Sequence, residues 1–413
     1  MARQFDVPAF YRSPVVSRVK EVRRLQDPRK KDLSPSVLDF GSVRFKLARH
    51  FGFCYGVENA IEIAYRALKE HPDQRIFLLS EMIHNSHVND DLVSRGIRFL
   101  RTTEGEQLIP FDTLTPDDIV IIPAFGATLE VTSELERLGV DVQAYNTTCP
   151  FVEKVWKRSA QIGAQDYTVI VHGKRYHEET RATVSHAQSV THVVVIRDLD
   201  EARDLARYIR GDADRAFFEA RFGDRTSPEF DPEQHLGRIG VVNQTTMLAT
   251  ETAEIAALLR QAMVARYGPD DLSAHFADTA DTLCYATNEN QDATRALIAD
   301  GADVAIIVGG ANSSNTSHLV ELCEEEMPTY FVSDASCIES ASRIRHFDIH
   351  THELVDVEDW LPSTRPLSVL LTAGASCPDS LLDDVIHRVN ELVGVELSVE
   401  HAMAPFANMT AES

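Results

Sequence analysis

Eight short runs rich in Val, Ile and Leu recur along this chain, at 76–79, 119–122, 168–171, 192–196, 239–242, 304–308, 330–332 and 367–372. Turn residues bound them. Stretches with helical spacing of apolar positions alternate with them, among them 57–69, 151–161, 250–267, 290–300, 317–326 and 380–393. A strand apolar along its whole length must be covered on both faces, and the helix of a parallel βαβ unit supplies that cover. The pattern predicts an α/β fold with mostly parallel strands. At 413 residues the chain outgrows a single core of about 100–200 residues, so two or three domains are expected.

A threefold repetition around cysteine accompanies this alternation. Phe51-Gly-Phe-Cys54-Tyr-Gly, Asn146-Thr-Thr-Cys149-Pro-Phe and Asp281-Thr-Leu-Cys284-Tyr-Ala each follow a strand or turn segment and precede a long helical pattern. Three similar units of about a hundred residues account for the length and the repeats. The expected division is a basic N-terminal extension 1–42, a first α/β domain 43–148, a second 149–281, a third 282–391 and a C-terminal tail 392–413. The charged stretch 198–236 reads as a surface insertion in the second domain. The segment 348–360, with His350 and His352, reads as a solvated acidic connection.

A helix N-terminus lowers the pKa of a thiol beside it, and the thiolate is the form that binds metal. Three such thiols would offer soft anionic ligands to an iron–sulfur cluster or to zinc. A cubane cluster held by three cysteines keeps one iron without a protein ligand, open to substrate as a Lewis acid. Isolated cysteines usually pack as small apolar groups, and the spacing alone leaves both readings open. Cys323 and Cys337 fall in helical patterns and Cys377 follows a strand, where packing is the simpler account.

Acids outnumber bases 64 to 40, for a formal net charge of −24. Such a surface repels phosphodiester chains, which excludes a generic nucleic-acid coat. No apolar stretch approaches the roughly 20 residues of a membrane span, and six cysteines are too few for a disulfide scaffold. A reducing, cytoplasmic setting is expected in preference to a plastid stroma. Residues 1–31 depart from the rest, with nine Arg or Lys against three acids. Those acids and the scarcity of serine argue against a transit peptide, which leaves a solvated basic arm suited to an acidic partner.

Polar clusters stand where the predicted strands end. The run 304–308 leads into Gly309-Gly310-Ala-Asn312-Ser313-Ser314-Asn315-Thr316 ahead of a helix. Small residues let an anion approach the backbone, hydroxyls and amides donate, and the helix start adds positive potential. Leu371-Thr-Ala-Gly374-Ala-Ser376 is a second such cradle, and Asn243-Gln244-Thr245-Thr246 a third polar strand end. His84 and His177 occupy comparable places, and ligands of open α/β sheets collect at strand C-termini. Glu179, if shielded from water, would hold a proton to higher pH and could donate it. Helix capping explains one or two of these groups but not the ensemble.

In order along the chain, GFCYGVENAI, EMIHN, NTTCPFV, HEET, VVNQTTM, LCYATNENQ, GGANSSNTSHL and TAGASCPDSL resemble the LytB family of 4-hydroxy-3-methylbut-2-enyl diphosphate reductases. The resemblance implies three pseudo-symmetric α/β domains around a central 4Fe–4S cluster, which becomes 3Fe–4S on loss of its unique iron. It puts the cluster ligands on Cys54, Cys149 and Cys284. Diphosphate contacts fall on His84, His177, Ser313, Ser314, Asn315 and Ser376. Thr245 falls at the substrate hydroxyl, Glu179 is the proton-supplying carboxylate, and His177 counts among the catalytic groups.

The implied reaction is reductive dehydroxylation of a small allylic diphosphate to isopentenyl and dimethylallyl diphosphate, the last step of the methylerythritol phosphate route. Ferredoxin or flavodoxin is the implied electron donor, and a monomer or homodimer the assembly. One position departs from the family. The third diphosphate-site histidine of many bacterial members, in a segment resembling SAHG, is replaced in Pro123-Ala124-Phe125-Gly126 by Phe125, which cannot donate. That wording and the basic arm resemble the larger plant and cyanobacterial branch. A zinc hydrolase would call for His and carboxylate ligands rather than spaced cysteines. An iron–sulfur sensor or ribosome-associated regulator has no use for Glu179 and Thr245 beside anion cradles.

Overall fold

The computed structural model describes residues 5–277, 282–395 and 397–407. The expected boundary at residue 281 and the end of the expected tail lie outside them. The strands among the described residues are β1 (Ser36–Asp39), β2 (Val43–Leu47), β3 (Ile76–Leu78), β4 (Arg98–Phe99), β5 (Ile119–Ile121), β6 (Thr168–His172) and β7 (Val193–Ile196). They continue as β8 (Ile239–Asn243), β9 (Val304–Val308), β10 (Thr329–Val332), β11 (Arg343–Asp348), β12 (Glu353–Glu358) and β13 (Leu367–Ala373). Each of the eight apolar runs is a strand, and the α/β class holds. No helix among the described residues is long and apolar enough to cross a membrane. The chain divides into two compact units. One comprises Met1–Glu58, His84–His87 and Tyr285–Ser413, the other Asn59–Ile83 and Val88–Cys284.

The second unit holds two parallel sheets, ordered β4-β3-β5 and β7-β6-β8. In β6, β7 and β8 every residue is buried. Successive side chains point to opposite faces of a sheet, so such strands need two layers of cover. Ile170, Val194, Ile196, Ile239 and Val241 pack against Leu205, Ile209, Phe218, Phe222 and Leu259. Their neighbours Val169, Val171, Val193, Val195 and Val242 pack on the other side against Val155, Ile162 and Ala187. The stretch 198–236 is therefore not a surface insertion. Its helices Leu199–Arg210 and Arg215–Phe222 supply part of one of the two covering layers, beside helix Ala249–Tyr267.

The first unit is built on a five-stranded sheet ordered β1-β2-β13-β9-β10, parallel except for β1. β2 opens the expected first domain, yet it pairs with β13 over Leu367–Leu371. The basic arm is not solvated. Helix Val16–Gln26 buries Val16, Val19 and Val22 in this unit's core. The Asp383 carboxylate accepts from the amides of Val15 and Val16 at 3.3 and 3.1 Å, satisfying two donors that a helix start leaves open. The acidic connection proves to be the antiparallel hairpin β11–β12. His352 takes the left-handed turn conformation there, and His350 pairs with Glu324 at 2.8 Å.

A common strand order runs through the three expected repeats. In β4-β3-β5, in β7-β6-β8 and in β10-β9-β13 the first strand of the trio is central and the later two flank it in parallel. The polar segments singled out in the sequence follow the ends of these strands.

Candidate active site

Cys54, Cys149 and Cys284 are half-buried. Each directly precedes a helix, Tyr55–Glu70, Pro150–Gly163 and Tyr285–Ala299 respectively. Each cysteine amide donates to a carbonyl just beyond the third strand of a trio. Cys54 bonds Ala375 at 3.1 Å, Cys149 bonds Ala124 at 2.9 Å and Cys284 bonds Thr245 at 3.1 Å. Three thiols are thus fastened by one device in three repeats. Cys149 departs from the expectation of a lowered thiol pKa. Burial pushes it up to about 11, outweighing the helix amides that pull it down. A thiolate there needs a cation to hold it.

Cys149 and Cys284 lie in one unit, and Cys54 in the other. Among the described residues no three His, Cys, Asp or Glu side chains are grouped closely enough to hold a metal ion. The donor set itself, three soft sulfurs at equivalent half-buried positions, has the chemistry of an iron–sulfur ligand set. Cys323 and Cys377 are fully buried in the core of the first unit, where burial raises both thiols, Cys323 to about 12. They pack, as the sequence predicts. Cys337 closes a short turn, its sulfur 3.3 Å from the Ser333 hydroxyl.

Five of the expected diphosphate contacts belong to the first unit. Ser313 caps helix Ser314–Glu324, its hydroxyl accepting from the Thr316 amide at 3.2 Å and from the Thr316 hydroxyl at 2.9 Å. Ser376 donates to the His84 carbonyl at 3.0 Å. Asn315 Oδ1 accepts from the Ala375 amide at 2.9 Å and from Asn290 at 3.3 Å. Its Nδ2 is buried and has no hydrogen-bond partner among the described residues. A buried donor left open costs about 1–3 kcal/mol, so this one is poised for an acceptor. Glycine is required around it: a Cβ on Gly309 would sit 2.5 Å from the Thr316 hydroxyl, and one on Gly310 would strike the His84 carbonyl.

The remaining expected groups lie in the second unit. His177 caps helix Glu178–Gln188, its Nδ1 accepting from the Glu179 amide at 3.2 Å. That bond leaves the ring proton of a neutral imidazole on Nε2. Glu179 is 1% exposed. Its carboxylate accepts from the Thr245 amide at 2.5 Å and from the Thr245 hydroxyl at 2.9 Å. Burial raises its pKa to about 7 although both bonds pull the other way. The shielding that the sequence left as a condition is met. Phe125 packs edge-on against the His177 ring, centroids 5.5 Å apart at 84°. It packs on an imidazole at the position for which the resemblance implies a third histidine.

Three residues outside the expected site set act as positioning groups. Gln244 Oε1 accepts from the Lys174 amide and the Thr180 hydroxyl, both at 3.0 Å, joining the loops after β6 and β8. Thr282 accepts from the Asn243 amide at 2.7 Å. Glu178 is buried, bonded to the Ser80 hydroxyl, and raised to about 8 by its burial. The polar run at the end of β8 was the available signal for Gln244, and the acid pair after His177 for Glu178; Thr282 carries none in its own sequence.

The family described as LytB protein matches residues 45–390. Among its curated relatives, the protein named 4-hydroxy-3-methylbut-2-enyl diphosphate reductase in Thermosynechococcus vestitus is 40% identical over 356 residues, 86% of either chain. The one of that name in Gloeobacter violaceus is 40% identical over 358 residues, 86% of this chain and 84% of that one. The chloroplastic protein of Botryococcus braunii is 38% identical over 85% of this chain and 70% of its own. The solved Plasmodium falciparum reductase superposes with a TM-score of 0.59 at 18% identity, covering 86% of this chain and 90% of that one. A second structure, of the reductase that ends the non-mevalonate pathway, gives 0.51 at 23% identity over 84% and 98%. Both structural likenesses concern the fold. With the match spanning most of the chain, this protein belongs to the LytB family.

Proposed function

We propose that this chain is a 4-hydroxy-3-methylbut-2-enyl diphosphate reductase. The observation that carries the reading is the buried Glu179–Thr245 pair, in the same unit as two of three equivalently tethered cysteines. The reaction breaks an allylic C–O bond and forms a C–H bond; two electrons and two protons enter and water leaves. A 4Fe–4S cluster held by Cys54, Cys149 and Cys284 would supply the electrons and a Lewis-acidic iron.

The chain's own groups bind, orient and protonate. Glu179 holds a proton near neutrality, and the Thr245 hydroxyl, 2.9 Å away, can pass its own proton to a substrate oxygen while taking that one. His177 offers Nε2–H, Asn315 offers Nδ2, and His84, Ser313, Ser314 and Ser376 complete the donors proposed for the diphosphate. Hydroxyls, amides and a helix start suit a dianion without nearby Arg or Lys. The three repeats correspond in this reading to 43–148, 149–281 and 282–391. Ferredoxin or flavodoxin is the proposed donor of electrons, and the cytoplasm the proposed location.

Anaerobic reconstitution tests the proposal. A brown protein bleached by dithionite, whose Mössbauer spectrum changes at one iron site on adding the allylic diphosphate, is the expected result. Colourless protein with stoichiometric zinc would overturn it in favour of a hydrolase.

A further inference from the structure

The N-terminal segment, which the substrate chemistry does not use, forms a cationic cleft in the first unit. The cleft measures about 770 Å³, and its walls carry Arg12, Arg18, Lys20, Arg24, Lys30 and Arg49, with Cys54 opening into the same space. His50 also lines it but is held neutral, its pKa lowered to about 4 by burial and the neighbouring Arg49 and Lys30.

Inside the cleft the cations are matched by acids. Arg12 faces Glu58 at 3.7 Å, and Arg18–Glu21, Lys20–Asp379 and Lys30–Glu289 each close to 2.8 Å. A cleft neutralised from within is a poor cage for a small anion. The uncompensated charge lies at its rim and beyond. Arg24 on the rim and Arg29 and Lys31 just beyond are exposed and have no carboxylate within ion-pair distance among the described residues. The rest of the chain is strongly acidic, so an acidic protein is repelled by most of this surface and drawn to this part.

We propose that this rim is the docking site of a small acidic one-electron carrier protein, seated over the Cys54 mouth of the cleft. The inference rests on the reductase reading, because that reaction consumes two electrons in every turnover and the substrate brings none. Two successive carrier encounters would each deliver one electron, the carrier being oxidised and the bound centre reduced.

The test is calorimetric binding of an acidic plant-type [2Fe–2S] ferredoxin to the full-length protein, which needs no turnover. The triple variant Arg24→Glu, Arg29→Glu, Lys31→Glu should bind at least about tenfold more weakly at low salt. The gap should close as ionic strength approaches about 1 M, where the Debye length is roughly 3 Å. A wild-type protein that does not bind, or a variant with unchanged affinity and salt dependence, overturns the assignment. Visible absorption of the same samples reports the cluster separately, so failure of the reductase reading is told apart from failure of the docking site.

Discussion

Replacing Glu179 by Gln separates proton supply from architecture at one atom. The carboxylate receives two hydrogen bonds from Thr245, from its amide at 2.5 Å and its hydroxyl at 2.9 Å. A glutamine carbonyl can keep the amide bond, and the rotatable Thr245 hydroxyl can turn to accept from the new NH2 group. Geometry should survive, with a stability change within about 1 kcal/mol at pH 4.5, before the native carboxyl loses its linked stability. The transferable proton does not survive. Loss of a positioned general acid costs roughly 10²- to 10⁴-fold in rate, or about 3–5 kcal/mol of barrier.

The pH dependence gives a second handle. With its pKa raised from 4.5 to about 7, Glu179 is protonated in the folded state where the unfolded chain has released its proton. The associated stability is present in full below pH 4.5 and is lost as pH rises to about 7, up to about 3 kcal/mol in all. Turnover should follow the same protonation, high below pH 7 and falling above it. In the Gln variant both dependences should flatten. Single-turnover kinetics with dithionite and urea midpoints across pH 5–8 measure the two effects. A variant that turns over at the wild-type rate, or that keeps the wild-type pH midpoint, refutes the role of Glu179 as proton donor.

Substituting Ser for Cys54, Cys149 or Cys284 should each remove most of the bound iron and sulfide. Cys323→Ser should keep them and lower the unfolding free energy from urea titration by about 1–3 kcal/mol, because it buries a hydroxyl among apolar groups. Gly374→Ala drives a methyl into the Thr316 hydroxyl. It should cost about 1–3 kcal/mol by denaturant titration and weaken diphosphate binding, as Thr316 is bonded to Ser313. Val22→Asp puts a charge at a fully buried position of the N-terminal helix and should leave the chain insoluble or unfolded, whereas a solvated arm would tolerate it. Phe125→Ala removes the edge contact that orients His177 and should raise KM about two- to tenfold with a smaller change in kcat.

The strands were legible because burial on both faces leaves no polar position to confuse the pattern. Val169 and Ile170 belong to opposite layers, yet both had to be apolar. Helix Leu199–Arg210 was misread for the converse reason. Its stripe of Ala202, Leu205, Ala206 and Ile209 has the spacing of a buried helical face, but a dense run of charges covers the other side. The two-stranded hairpin β11–β12 was missed since its alternation is largely charged and half-exposed. At the site, residue types at strand ends disclosed Glu179, Thr245 and the serine–asparagine cradle. The raised thiol of Cys149 could not be read, because it depends on what surrounds the sulfur rather than on the helix that follows it. The role of Gln244 was hidden likewise, its partners lying about 70 residues earlier in Lys174 and Thr180.

The amide tethers give the chain a timetable. Cys149 and Cys284 are fastened to Ala124 and Thr245, residues made shortly before them. Cys54 is fastened to Ala375, and the strand β2 just ahead of it pairs with β13, so its anchor emerges only when synthesis is nearly over. A chain growing from its N-terminus therefore makes this thiol first and fixes it last. Through most of translation it is exposed to oxidants and stray metals. A nascent or C-terminally truncated chain would lack one of its three proposed ligands in place, and metal loading would fall after release from the ribosome.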